Sequence, residues 1–153
     1  MNSNYLNITN IYQLVIQKYG RDVMNVVRQY ERTKIKIGKF ENQLTFLKRC
    51  RDNNVIPKFL TIKYFLNNFK INQILNKASL AILKERIQFT RTELHRLNNK
   101  LFNIYILMTC YTDKQDFDLI DLQTIKIADE ISSKHKITQI NKFKKLTNKQ
   151  NSN

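Results

Sequence analysis

Val26, Tyr30, Thr33, Ile37, Phe40, Leu44 and Leu47 follow one another at intervals of 4, 3, 4, 3, 4 and 3. Those intervals return to one face of an α-helix, so the spacing predicts a long helix from about Asp22 to Cys50 with a heptad-like apolar seam. Leu80, Leu83, Ile87, Thr90, Leu94, Leu97, Leu101, Ile104 and Met108 repeat the alternation more cleanly and predict a second long helix from about Gln73 to Met108. Before them, Ile11, Leu14, Val15 and Lys18 suggest a short helix that closes near Gly20, because glycine tolerates the left-handed backbone just past a helix end. Gly38 falls on the outer face of the first long pattern and should weaken it by roughly 1 kcal/mol.

The stretch "RDNNVIPKF" separates the two patterns. Asp52, Asn53 and Asn54 favour turns through side-chain bonds to their own backbone, and Pro57 drives Ile56 out of the helical region. A short helix is expected within 58–72. The remainder predicts an acidic segment, 113–130, followed by a basic helix with Ile137, Ile140, Phe143 and Leu146 inside and a disordered tail over 147–153.

A helix with one apolar stripe cannot remain alone in water, so the two long patterns predict an all-α, coiled-coil-like two-helix hairpin with shorter flanking helices. The expected organisation is a short helix in 1–20, a basic hairpin in 21–112 and acidic then basic C-terminal helices in 113–146. Antiparallel packing is the default, although the long connection also permits a parallel pair. Ile35, Phe46, Ile82 and Phe89 lie off the seams and would stay wet in a pair, so a third layer is implied: the C-terminal helices or a partner.

Composition agrees with long helices. Only two glycines and one proline occur in 153 residues, too few for hairpins or phosphate-cradling loops, and 42% apolar residues suffice for a core. Two cysteines, Cys50 and Cys110, make no disulfide framework and fit a reducing compartment. They end the two long helices; in an antiparallel hairpin they would stand about 40 Å apart, as buried thiols. The polar N-terminus shows no signal peptide, and the apolar run 101–111 is too short to span a bilayer. The chain therefore reads as intracellular, nuclear or cytoplasmic, and a membrane is not the expected partner, although the basic C-terminal helix could lie on an acidic surface.

Charge changes the picture most. The net charge is +15, and segment 21–70 carries twelve basic residues against four acidic ones. Lys34, Lys36 and Lys48 flank the first seam, and Lys84, Arg86, Arg91 and Lys100 the second, opposed there by Glu41 and Glu93. Coiled coils normally alternate sign at such positions. Two basic helices repel, so an anion is missing: in part the acidic segment, in part nucleic-acid phosphate. Arg28, Arg32, Lys36 and Lys39 along the first helix, with Lys48, Arg49, Arg51 and Lys58 around its break, are the candidate phosphate contacts. Abundant lysine, asparagine and isoleucine also reflect A/T-rich codons, an objection that touches the eight arginines less. A solvated helix surface is the bland alternative. Tyr64, Phe65 and Phe69, near Lys63 and Lys70, could stack on bases, though they suit a core as well.

Nothing in the sequence argues for catalysis. His95 and His135 have no metal-ligand neighbour at helical spacing and read as surface histidines. Asp116/Asp118 and Asp129/Glu130 lack the strand and glycine framing of polymerase acids and read as a solvated face. No nucleophile elbow, Walker loop, dinucleotide fingerprint or zinc motif occurs, so no enzyme, metal or cofactor is expected.

Three phrases in order, "LTFLKRCRDNNVIPKFLTIK", "LAILKERIQFTRTELHRL" and "KITQINKFKKL", resemble the leader region N-terminal to the reverse transcriptase of Penelope-like animal retroelements. The resemblance covers roughly residues 26–146. It implies a retroelement leader or a fragment of one, with RNA or DNA as partner and an association with a reverse transcriptase domain. Neither polymerase nor nuclease motifs are present, so the family's activities do not carry over. The alternative class is a coiled-coil scaffold, a homodimer whose seams pair between chains and whose charge serves solubility.

Overall fold

The computed structural model describes residues 8–63 and 77–151. Its regular elements are all α-helices: α1 (Ile8–Tyr19), α2 (Arg21–Asp52), α3 (Lys58–Lys63), α4 (Lys77–Tyr111) and α5 (Lys114–Asn151). The protein is all-α, and the two long helices expected from the seams are α2 and α4. The start of the second pattern, the part of 58–72 beyond Lys63, and Tyr64, Phe65, Phe69 and Lys70 lie outside the described residues.

Local chemistry sets the helix ends. Gly20, with φ of 92°, donates its N–H to the Ile16 carbonyl at 3.0 Å and so closes α1. Its own carbonyl accepts from the Met24 N–H at 3.2 Å and opens α2. At the far end, Asn54 takes the left-handed conformation (φ 55°), donating its N–H to the Arg51 carbonyl while the Val55 N–H reaches the Cys50 carbonyl at 3.0 Å. That paired arrangement is a Schellman cap, and its usual apolar closure is present, since Cys50 and Val55 share one core. Asp113 caps α5: its Oδ1 accepts from the Asp116 N–H at 2.9 Å, and its carbonyl accepts from the Phe117 N–H.

Two compact units partition the chain: Met1–Gly38 with Arg96–Ser132, and Lys39–His95 with Ser133–Asn153. This division cuts across the expected segments 21–112 and 113–146, because α2, α4 and α5 each contribute a stretch to both units. The physical basis is two separate apolar clusters rather than a linker.

The first unit buries Ile11 and Val15 of α1, Met24, Val27 and Tyr30 of α2, Ile104 and Met108 of α4, and Phe117 and Ile120 of α5. Tyr30 bonds Asp121, and Gly38 lies against Ser132, so here α2 and α5 run in the same direction. The tight Thr112–Asp113 connection reverses the chain between α4 and α5, leaving α4 antiparallel to both. Gly38 therefore does not sit on an outer face. A Cβ placed there would meet the Ser132 Cβ and Oγ at 3.2 Å, so glycine is what lets α5 approach α2.

The second unit buries Phe46, Leu47 and Cys50 of α2, Val55 and Ile56 of the turn, Leu60 of α3, and Leu83 and Ile87 of α4. Phe143 and Leu146 of α5 pack on this cluster as expected, and Ile140 is half-buried. Ile137 is not inside: it is 60% exposed. The inward position on that turn belongs to Gln139, which is buried and hydrogen-bonded. Phe46, off the predicted seam, is covered, whereas Phe89 remains half-exposed.

The seam residues behave as patterned. Leu83, Ile87, Thr90, Leu97, Ile104 and Met108 of α4 are buried, as are Tyr30, Thr33, Ile37 and Leu47 of α2. In the first turns of α2 the buried residue is Val27 rather than Val26, which is half-buried. Thr33 and Thr90 each return their hydroxyl to the carbonyl four residues back, at 2.7 and 2.8 Å, which removes the cost of an unpaired buried hydroxyl. Two expectations for the C-terminus need correction. The acidic and basic segments form one continuous helix, and it runs through the expected tail to Asn151. No proline or glycine interrupts this stretch, so nothing in its backbone stops the helix.

Candidate nucleic-acid interface

All twelve carboxylate side chains lie in the described residues. In the first unit the acidic start of α5 takes up lysine, not arginine. Lys18 Nζ contacts Asp113 at 2.6 Å and Asp116 at 2.7 Å, and Lys34 reaches Asp121 at 3.8 Å. Tyrosines join them: the Tyr19 hydroxyl donates to Asp116, the Tyr30 hydroxyl to Asp121, and the Tyr12 hydroxyl to Glu31. The hydrogen bonds from Lys18 and from the Asp116 N–H hold the Asp113 carboxyl down to about 2. Burial, seconded by their carboxylate partners, raises the Tyr12 and Tyr30 hydroxyls well above the ordinary tyrosine range. Asp116 is thus a buried structural anchor rather than part of a solvated acidic face.

Arg28, Arg32 and Lys36 follow at intervals of four on α2, all exposed, and none of them forms an ion pair among the described residues, although Arg28 lies close enough to Tyr12, the partner of Glu31, to bear on its hydroxyl. Helical geometry thus brings these three predicted residues into one cationic strip within the first unit.

The remaining five predicted residues belong to the second unit and do not converge on one spot. Lys39 is exposed and lies close enough to His135 to bear on its charge. Lys48 is half-buried, Arg49 is exposed on the wall of a shallow cleft beside Lys136, and Arg51 bonds its neighbour Asp52 at 3.1 Å. Lys58 begins α3 and lines an open groove of about 660 Å³.

That groove is the feature the sequence reading missed. Its cations come from three helices: Lys58 of α3, Arg86 of α4, and Lys142 and Lys145 of α5. Among its described lining residues there is no carboxylate. The apolar floor includes Phe46, Pro57 and Leu146, with Phe59 on the wall 41% exposed. The Arg86 guanidinium rests 4.9 Å from the centre of the Phe89 ring, while its Nε is buried with no hydrogen-bond partner among the described residues. Lys142 and Lys145 flank Phe143 and Leu146, the two apolar residues that seat this end of α5, and that interleaving was the available signal.

His135 is not a surface histidine. Its Nδ1 lies 3.3 Å from Asn42 Nδ2 and its Nε2 lies 3.0 Å from Gln139 Nε2, which also donates to Gln43 Oε1 at 3.1 Å. Burial first, then Lys39 and Lys142, lowers the pKa of the ring below its ordinary value. Cys50 is buried, and burial alone pushes its thiol up to about 12. Cys110, expected buried, is exposed, because position 110 faces away from the seam that carries Ile104 and Met108.

Among the described residues no group of His, Cys, Asp and Glu could hold a metal ion, and no helix is long and apolar enough to cross a membrane. Comparison with protein-family models, with curated proteins and with solved structures returned no match.

Proposed function

We propose that this chain is a non-catalytic binder of RNA or DNA that contacts phosphates, acting inside the cell in nucleus or cytoplasm. The observation that carries the reading is the sorting of charge. Asp113, Asp116 and Asp121 are engaged by Lys18, Lys34 and tyrosine hydroxyls, while Arg28, Arg32 and Lys36 stay exposed and form no ion pair among the described residues. Such a surface gives affinity without sequence preference. The resemblance to a retroelement leader adds a setting: a reverse transcriptase domain would work on the nucleic acid this chain holds.

Salt titration tests it. With about six phosphates contacted on duplex DNA, log K falls against log salt with a slope near −5. Replacing Arg28, Arg32 and Lys36 by glutamine flattens that slope by about 3, each phosphate contact being worth about 0.9. Binding that ignores salt, or an unchanged slope in the triple variant, removes the reading.

A second reading rests on a different surface. Phe102, Tyr105 and Ile106 of α4 share one face and are 62%, 42% and 42% exposed. An apolar face of that kind suits a homodimeric scaffold. A stable dimer whose mass and affinity for itself do not change with added RNA, and which shows no RNA binding, favours this alternative.

A further inference from the structure

The groove of the second unit combines three features that a plain phosphate-binding surface does not require. It has an apolar floor, it exposes an aromatic ring, and a hydrogen-bonded amide pair, Gln43 and Gln139, is among its lining residues. A duplex presents its phosphates on a convex surface and keeps its bases stacked inside, so it can use the cations of such a groove but not the floor. A single strand can use both, since an unstacked base has a π-face for an aromatic side chain and an edge for an amide, while its phosphate stays beside cations. The volume of about 660 Å³ lies within the range of sites for small ligands, enough for one base and its sugar.

We infer that this groove accepts one nucleotide of a single-stranded nucleic acid. The base lies over the floor against Phe59, its edge meets the Gln43–Gln139 amides, and its phosphate is held by Arg86, Lys142 and Lys145. Charge complementarity selects the ligand class: Arg86, Lys142 and Lys145 line the groove with no carboxylate among its described lining residues. Arg86 contributes to that charge as a lining residue of the groove from α4. The Phe89 ring, 4.9 Å from the guanidinium carbon, helps hold the Arg86 side chain in place. The inference deepens the proposed phosphate binding and rests on it: it states that the nucleic acid is single-stranded and where a base goes.

The experiment uses the full chain and fluorescence anisotropy over a series of salt concentrations, the probes being compared at equal salt. The probes are a strand of about twelve nucleotides, within the usual footprint of single-strand binders, made as RNA and as DNA, its matched duplex, and the same strand with abasic spacers. The expected order is single strand tighter than duplex, with the abasic strand weakened to the duplex level. Phe59→Ala, at an exposed position, weakens the normal strand by about 5- to 150-fold, the usual range for losing one stacked base, and leaves the abasic strand unchanged. Lys142→Gln with Lys145→Gln, both exposed, weakens all probes. If normal strand, abasic strand and duplex bind alike with ordinary salt dependence, or Phe59→Ala changes nothing, the groove assignment falls and phosphate binding stands. If no nucleic acid binds, both fall. If dodecyl phosphate displaces nothing and fills the groove in a Phe59-dependent way while normal and abasic strands bind alike, the site belongs to an anionic amphiphile, and the nucleotide assignment is overturned.

Discussion

Gly38→Ala isolates the contact between α2 and α5 in the first unit. In an exposed helix, alanine should stabilise by about 1 kcal/mol over glycine. At this site the new methyl would stand 3.2 Å from both Cβ and Oγ of Ser132. Carbon atoms in ordinary contact prefer about 3.5–4.0 Å, so α5 must retreat by roughly 0.3–0.8 Å or strain. Overpacking of that size costs about 1–3 kcal/mol. The sum predicts a variant between unchanged and about 2 kcal/mol less stable, in place of the gain propensity alone would give. Ser132→Gly removes both clashing atoms, so in that background Gly38→Ala should recover the full propensity gain. A double-mutant cycle by urea denaturation should therefore show a coupling of about 1–3 kcal/mol between the two positions. A gain of about 1 kcal/mol from Gly38→Ala with Ser132 intact, or no coupling, would refute the close approach.

Other consequences can be checked on the same protein. The lowered pKa of His135 means that the unfolded chain takes up its proton first. Stability should decline as pH falls below about 6.5 toward the folded value, and His135→Gln should flatten that stretch of the pH–stability curve. Asp113 shares that sign at lower pH: its folded pKa of about 2 lies below its ordinary value of 3.8, so the unfolded chain again takes up the proton first, and the stability present above 3.8 is lost as pH falls through about 2, which chemical denaturation at low pH can follow. For the thiols, Cys110 should react with a disulfide reagent at neutral pH in the native protein, while Cys50 should react only on unfolding, with a two-step time course as the readout.

The amino-acid sequence by itself determined the helices. Heptad spacing is local information, and the residues at 83, 87, 90, 97, 104 and 108 are inward because 3.6 residues make a turn, whatever packs against them. The same holds for the break after Asp52, since an asparagine in the left-handed region and a proline three residues beyond it are local devices. Tertiary structure decided the rest. Which helix presents itself to Gly38 cannot be read from a period, because a glycine that spaces two helices and one that merely weakens a helix look alike in one dimension. Asp116 looked like part of a solvated acidic run until Lys18 and Tyr19, almost a hundred positions earlier, were found beside it. The groove is of the same kind: Lys58, Arg86 and Lys142 become neighbours only when three helices meet, since charge patterns record what each helix offers to solvent and not which offers coincide.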